Sequence, residues 1–160
     1  MPIKVGDRLP EATFRVMGPN GPAAKTTSEV FKGKKVVLFA VPGAFTPTCS
    51  NNHLPGFIKN ADAFKAKGVD TIAVTGVNDV FVFDAWQKAT GAGKIEFLSD
   101  GSADFAKALD LVLDASGAGL GIRSKRYAML VEDGVVKSIN VEDVPGKAES
   151  SSAEALLKQM

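Results

Sequence analysis

The sequence has a single cysteine, Cys49, and a single histidine, His53, among its 160 residues. One cysteine excludes an intramolecular disulfide, and with it a fold that disulfides hold together. A zinc site built on several cysteines is excluded as well, and one histidine leaves a mixed Cys/His site short of ligands. Nucleophilic catalysis that pairs Cys49 with a histidine would have to use His53.

The chain also lacks a strong excess of charge and a long apolar run. Its 19 basic and 18 acidic residues give a formal net charge of +1, which predicts neither a nucleic acid nor an anionic membrane surface as partner. The longest purely apolar run, residues 36–41, is too short to span a bilayer. Residues 1–7 contain no apolar signal core, so we expect a cytoplasmic protein. The length of 160 residues predicts one domain over residues 1–160, and the 45% of hydrophobic residues argues against disorder.

Strand-like and helix-like patterns alternate along the chain. Apolar and β-branched runs predict buried strands, which are residues 36–41, 69–77 and 95–98. Residues 126–131 and 135–141 flank a turn and predict a β-hairpin. The predicted helices run from about Pro47 to Gly68, from an N-cap at Asn78 through Ala89, over residues 103–109 and over residues 153–158. This order predicts an α/β fold with a mixed central sheet flanked by helices.

The segment most informative about function is residues 42–49, Pro-Gly-Ala-Phe-Thr-Pro-Thr-Cys, between a predicted strand and a predicted helix. Thr46 suits an N-cap and Pro47 suits the first helical position, so Cys49 falls in the first turn. The free N–H groups and the positive end of the helix favour a thiolate there, which a nucleophile or redox centre requires. The Thr46 hydroxyl, three residues before Cys49, could face the sulfur and bond to a bound oxygen.

Each of these residues also has a structural interpretation. A lone cysteine is more often a buried, inert residue, and Thr46 can serve only as a helix cap. Pro42 can either end the strand or shield the thiolate from solvent. His53 lies four residues after Cys49 on the same helix face, where it can support the thiolate, orient a neighbouring group, or occupy the rim of the site.

Residues 42–49 resemble the active-site motif of the peroxiredoxins, Pro-x-x-x-Thr-x-x-Cys, which Pro42, Thr46 and Cys49 match. The full octapeptide, followed by His-Leu-Pro-Gly-Phe at residues 53–57, is typical of the Prx5 or type II branch. The resemblance covers nearly the whole chain and includes residues 68–69, residues 77–79, Trp86 and residues 123–127.

The resemblance implies a thioredoxin-like fold with an N-terminal extension, and a thiol peroxidase activity. In that family the cysteine thiolate attacks one peroxide oxygen and becomes a sulfenic acid, while water or an alcohol leaves. The substrates it implies are hydrogen peroxide, alkyl hydroperoxides and often peroxynitrite. No metal, haem or flavin takes part, so no cofactor is expected.

The family also uses a threonine, backbone N–H groups and one arginine to hold the peroxide in line. Arg126, which begins a predicted strand before an apolar run, matches that arginine, and Arg123 matches a second common family position. Apart from the resemblance, Arg126 would be interpreted as a solvated charge at a strand end. The predicted catalytic residues are Cys49, Thr46, Arg126 and Pro42, and the predicted substrate-binding residues are Gly43, Phe45, Thr48 and His53. Phe45 is also a candidate for the pocket wall or for an interface, as is Phe81.

The chain departs from many type II members because it has no second, resolving cysteine. The two positions at which relatives carry one are occupied by Val74 and by residues 150–152, without sulfur. The sequence therefore resembles a one-cysteine type that glutathione or glutaredoxin recycles, and the relatives suggest a homodimer. Two other functions remain open: a peroxide sensor that is oxidised about once, and an interaction protein with an inert Cys49.

Overall fold

A computed structural model describes residues 1–160, and its centre is a seven-stranded mixed sheet. The strands are β1 (Thr13–Gly18), β2 (Gly21–Thr26), β3 (Lys35–Ala40), β4 (Thr71–Gly76), β5 (Glu96–Ser99), β6 (Val112–Asp114), β7 (Ile122–Ser124), β8 (Tyr127–Glu132) and β9 (Val135–Val141). Their order across the sheet is β2-β1-β5-β4-β3-β8-β9, and β6 pairs with β7 in a separate two-stranded sheet.

Strand β3 lies between a parallel partner, β4, and an antiparallel partner, β8. Val36 and Leu38 pack into the core on one face of the sheet, while Val37 and Phe39 pack into the core on the other. Because both faces of β3 are covered, its sequence is apolar without alternation. The prediction of a buried strand at residues 36–41 is confirmed.

Helices cover both faces of the sheet. They are α1 (Thr27–Phe31), α2 (Leu54–Lys59), α3 (Ala61–Ala66), α4 (Val80–Thr90), α5 (Asp104–Leu109) and α6 (Ala153–Lys158). Buried residues of α2, α3, α4 and α6 join one core, and those of α1 and α5 join the second. None of these helices combines the length and the apolar character that a membrane span needs. The predicted α/β fold with a mixed sheet is therefore confirmed.

The predicted helix from Pro47 to Gly68 is wrong as one continuous helix. Helical structure does begin at Pro47, but residues Cys49–His53 form a π-helical turn, and α2 and α3 then follow as separate helices. The Leu54 N–H bonds to the Cys49 carbonyl, five residues back. Pro55 follows without an N–H of its own, so the regular ladder cannot resume immediately. Cys49 thus begins a π-turn, a feature that is frequent at functional sites.

The sequence pattern predicts Asn78 as the N-cap of α4, and this prediction is wrong: the N-cap is Asp79. The Asp79 carboxylate accepts from the Val82 N–H at 2.9 Å. The Asn78 side chain instead accepts from the Ala44 N–H at 2.8 Å, which ties the loop before Cys49 to the start of α4. The pattern also misses the hairpin of β1 and β2, whose residues are exposed or half-buried apart from Phe14 and which forms an N-terminal extension at the sheet edge.

Candidate active site

The loop that follows β3 is closely packed around Gly43, so a side chain there would have to displace its neighbours. A Cβ atom at Gly43 would lie 3.0 Å from Arg123 Nη1 and 3.0 Å from Thr46 Cγ2. The Thr46 hydroxyl donates to the Gly43 carbonyl at 2.7 Å, and the Thr46 carbonyl accepts from Ser50 N at 2.9 Å. Thr46 therefore holds the predicted N-cap position through its carbonyl, but its hydroxyl is bonded to the loop and neither caps a helical N–H nor contacts the sulfur.

Cys49 is fully buried, and its sulfur accepts a hydrogen bond from an arginine. Arg126 Nη2 donates to Cys49 Sγ at 3.0 Å, and only 2% of Arg126 is exposed. The other donors of this guanidinium point at neutral acceptors: Nη1 lies 3.0 Å from His53 Nδ1, and Nε lies 3.1 Å from the Pro145 carbonyl. No carboxylate lies within ion-pair distance of Arg126. A buried cation thus faces the sulfur without an acidic residue to neutralise it.

His53 holds the arginine and does not touch the sulfur. Its Nε2 lies 2.9 Å from the Ser151 carbonyl, an acceptor only, so Nε2 carries the proton and Nδ1 accepts from Arg126. Burial, and then the positive charge of Arg126, lower the pKa of His53 from 6.5 to about 3. The ring is therefore neutral near pH 7. With 1% exposure His53 belongs to the interior, so its predicted place at the rim or in substrate binding is wrong, and of the roles left open it has that of orienting a neighbouring group, Arg126.

Acid should destabilise the fold through His53. In the unfolded chain His53 binds a proton as the pH falls through 6.5, whereas in the folded protein it does so only near pH 3. Its contribution to stability is therefore complete above pH 6.5 and is lost as the pH falls towards 3. From pH 7 to pH 5 we expect a loss of about 2 kcal/mol in the free energy of unfolding, measured by denaturant titration.

The variant His53→Gln serves as the control for this pH dependence. It cannot titrate, so its free energy of unfolding should change less between pH 7 and pH 5 than that of the wild type. Asp100, whose pKa burial raises, acts in the opposite sense, but it is present in both proteins and cancels in the comparison. Equal changes in the two proteins would contradict the buried, neutral state of His53.

A cavity of about 450 Å³ opens beside Arg126. Pro42, Thr46, Thr48 and Arg126 supply one side of its lining. Apolar residues of the following segments supply much of the remainder: Leu113, Ala115, Ala118, Leu120 and Pro145. Because Arg126 both lines the cavity and bonds to the sulfur, it connects the buried Cys49 to the space that a substrate can enter.

The remaining predicted site residues do not all line this cavity. Thr48 lines the cavity and donates to the Gly146 carbonyl at 2.9 Å. Phe45 does not line it: its backbone has a positive φ of 64° and 55% of the residue is exposed. Arg123 donates to the carbonyls of Pro42 and Leu120 at 3.2 and 2.9 Å. Of the two candidate arginines, Arg126 therefore contacts the sulfur, and Arg123 braces the loop.

Sequence reasoning missed the carbonyl groups of Pro145, Gly146 and Ser151, which accept from Arg126, Thr48 and His53. Every residue has a carbonyl, so no sequence signal marks these three. A contact from Trp86 Nε1 to Ser50 Oγ at 3.1 Å was also missed, and it ties α4 to the residue after Cys49.

Comparison with known proteins agrees with this geometry. A family model described as Redoxin matches residues 4–157. Peroxiredoxin-2E-2, chloroplastic, of Oryza sativa subsp. japonica is 50% identical over 164 residues, an alignment that covers 99% of this chain and 72% of that protein. Reduced Prx3 of Vibrio vulnificus, crystallised in complex with H2O2, superposes with a TM-score of 0.93 at 52% identity, with 98% of each chain covered.

The branch expected from the octapeptide is supported by a further structure. Peroxiredoxin 5 of Alvinella pompejana superposes with a TM-score of 0.86 at 39% identity, and the match covers 98% of this chain and 97% of that one. The chain therefore belongs to the Redoxin family as a peroxiredoxin of the Prx5 or type II branch, with the thiol peroxidase function of that family.

Proposed function

We propose that Cys49 is the nucleophile that reduces the hydroperoxide and that Arg126 is its principal electrostatic partner. The observation that carries this assignment is the buried guanidinium that donates to Cys49 Sγ at 3.0 Å without an acidic residue beside it. A buried cation needs a compensating anion, and a Cys49 thiolate supplies it. Replacing Cys49 or Arg126 singly and measuring the rate of peroxide reduction tests the assignment.

The proposed reaction transfers one oxygen atom to the sulfur. The thiolate attacks the nearer peroxide oxygen, the O–O bond breaks, and the sulfur becomes a sulfenic acid. The leaving oxygen takes up a proton and departs as water or as an alcohol. Arg126 lies where negative charge develops, and such a preorganised donor stabilises the transition state more than the ground state. Thr46 and Pro42 line the entrance, where they orient the substrate and limit access of bulk water.

The proposed substrates are hydrogen peroxide and organic hydroperoxides. The related Prx3 of Vibrio vulnificus forms a complex with H2O2, which supports the smaller substrate. The apolar wall that includes Leu113 and Leu120 supports the larger ones, because an alkyl chain buried there leaves water. The polar end of the molecule would then meet Thr46 and Arg126.

We further propose that glutathione and glutaredoxin recycle the enzyme. Cys49 is the only cysteine, so the second thiol must come from another molecule. Glutathione would condense with the sulfenic acid to give a mixed disulfide and water. A second thiol, from glutaredoxin or glutathione, would then attack the glutathione sulfur and release the Cys49 thiolate. This route also limits the exposure of the sulfenic acid to a second peroxide.

The burial of Cys49 predicts that the first helical turn opens during recycling. A glutathione sulfur cannot reach a fully buried Sγ, so the turn must move, and the bond from Trp86 Nε1 to Ser50 Oγ should then break. Peroxide and glutathione together should give one glutathionyl adduct, on Cys49, by mass spectrometry. Tryptophan fluorescence should change as the adduct forms, because Trp86 is the only tryptophan.

A steady-state assay with different reductants decides the route. We expect turnover with glutathione plus glutaredoxin. For the fluorescence measurement the matched control is Ser50→Ala, which keeps Cys49 but lacks the hydroxyl that Trp86 contacts, so it should show a smaller fluorescence change on glutathionylation. A Cys49–Cys49 disulfide between two chains as the main product would contradict the route. Efficient turnover with thioredoxin and none with glutathione or glutaredoxin would contradict it as well. Either result would leave the peroxidase assignment standing.

A homodimer is the assembly we propose. Phe45 and Phe81 are 55% and 64% exposed. The hydrogen bond from Ala44 N to Asn78 Oδ1 holds the loop that carries Phe45 against the start of α4, which carries Phe81. Two large exposed aromatic rings on neighbouring segments are typical of a protein interface. Sedimentation velocity measures the state directly.

A further inference from the structure

The loop of residues 142–151, between β9 and α6, reaches the active site through its backbone. Three of its carbonyl groups accept hydrogen bonds from site side chains: Pro145 O from Arg126 Nε at 3.1 Å, Gly146 O from Thr48 Oγ1 at 2.9 Å and Ser151 O from His53 Nε2 at 2.9 Å. The middle of the loop, residues 143–147, is exposed. The position of these carbonyls therefore depends on how the two ends of the loop are held.

Glu142 joins the two ends of this loop. Its Oε2 accepts from Ser151 N at 2.6 Å and from Ser151 Oγ at 2.6 Å, and Ser151 is fully buried. No lysine or arginine lies within ion-pair distance of the Glu142 carboxylate. The charge is thus directed at Ser151 alone, in hydrogen bonds of the stronger, charge-assisted kind.

We propose that Glu142 is a positioning residue for the reaction of Cys49 with peroxide, and that it acts through Arg126. The chain of contacts runs from Glu142 to Ser151, from the Ser151 carbonyl to His53, and from His53 Nδ1 to Arg126 Nη1. The same closed loop presents the Pro145 carbonyl to Arg126 Nε. Two of the three contacts of the guanidinium therefore depend on the loop, and the third is the sulfur. This inference rests on the proposed role of Arg126.

Loss of the Glu142 carboxylate should let the loop open and leave the guanidinium free to turn away from the sulfur. The second-order rate constant for Cys49 oxidation by hydrogen peroxide should fall about tenfold or more in Glu142→Ala, since small displacements of reacting groups carry large rate penalties. Glu142→Gln should recover much of the rate, because the amide oxygen can still accept from Ser151. The matched control is Asp143→Ala, which removes the same charge from the next, exposed residue and should leave the rate unchanged.

The decisive measurement repeats Glu142→Ala in an Arg126→Ala background. A residue that acts through Arg126 should have no further effect once Arg126 is absent, whereas a general loss of stability would lower the rate equally in both backgrounds. An equal loss in both backgrounds would overturn the inference, as would a wild-type rate in Glu142→Ala. If Glu142→Ala does not fold, Glu142→Asp decides, because the shorter side chain keeps the charge but withdraws the carboxylate from both Ser151 donors: a rate loss that disappears in the Arg126→Ala background supports the proposal, and any other result overturns it.

These outcomes separate two failures. If Arg126→Ala itself reacts at the wild-type rate, the proposed function of Arg126 is wrong, and the positioning role of Glu142 is wrong with it. If Arg126→Ala is slow but Glu142→Ala is not, only the role of Glu142 is wrong.

Discussion

Cys49→Ser is expected to reduce the rate of hydroperoxide reduction to the uncatalysed background. The substitution removes the only thiol and hardly changes the volume of a fully buried side chain. The serine hydroxyl can still accept from Arg126, so the local contacts persist, but a hydroxyl is far less ionised than a thiol near pH 7. Peroxide consumption in a coupled assay, together with a sulfenic-acid trap after one equivalent of peroxide, measures the effect.

Circular dichroism of Cys49→Ser is the control for folding and should resemble that of the wild type, whereas the thermal midpoint should be lower, because a neutral serine leaves the buried Arg126 cation without its anion. The trap should label the wild type once and the variant not at all. An inert Cys49 would remain unlabelled in the wild type. A peroxide sensor would be labelled once but would not turn over with any thiol. Peroxidase activity in Cys49→Ser comparable to that of the wild type would contradict the assignment of the nucleophile.

Arg126→Ala is expected to slow the oxidation of Cys49 by about a hundredfold or more, as removal of one preorganised donor does at comparable sites. The alanine leaves the buried sulfur without its cationic donor and His53 Nδ1 without its hydrogen-bond partner. Arg126→Lys should also be slow. A single ammonium cannot reach the sulfur, the imidazole and the Pro145 carbonyl from the three positions that the guanidinium nitrogens occupy. Stopped-flow measurement of the oxidation step isolates this effect from recycling.

Arg123→Ala is the matched control, because Arg123 bonds to the carbonyls of Pro42 and Leu120 and not to the sulfur. It should lower the rate less than Arg126→Ala, through loosening of the loop. The unfolding midpoint of each variant shows how much of the change comes from stability. A larger rate loss in Arg123→Ala than in Arg126→Ala would contradict the assigned roles of the two arginines.

Much of the site could be predicted because its central segment is local in sequence. An apolar strand, a break at Pro42, a cap at Thr46 and a proline at the first helical position together place Cys49 in a first turn, whatever surrounds it. The π-turn that begins at Cys49 could not be predicted, because periodicity does not distinguish it from an α-helix. The capping of α4 by Asp79 could not be predicted either, because the Asn78 side chain accepts a hydrogen bond from Ala44 N, in a loop distant in the sequence.

The choice between Arg126 and Arg123 was decided by the pairing of strands far apart in sequence. Strand β8 pairs with β3 so that Tyr127 lies opposite Ala40, which brings the start of β8 beside the loop that leads to Cys49. Arg123 lies in β7, which pairs with β6 and belongs to another sheet. The resemblance to peroxiredoxins favours Arg126, but only this register places its guanidinium on the sulfur.

By itself, the sequence determined which chemistry is available: one thiol, no intramolecular disulfide, no zinc site built on cysteine and histidine, and a helical turn that begins near the thiol after a buried strand. The tertiary structure decided which groups surround that thiol and which charges they carry. It buried His53 as a neutral acceptor, left Arg126 without an acidic partner, and brought the backbone of residues 142–151 against both. The physical reason is that a local pattern sets the conformation of its own segment. A buried charge and its hydrogen-bond partners are chosen by packing between segments distant in the chain.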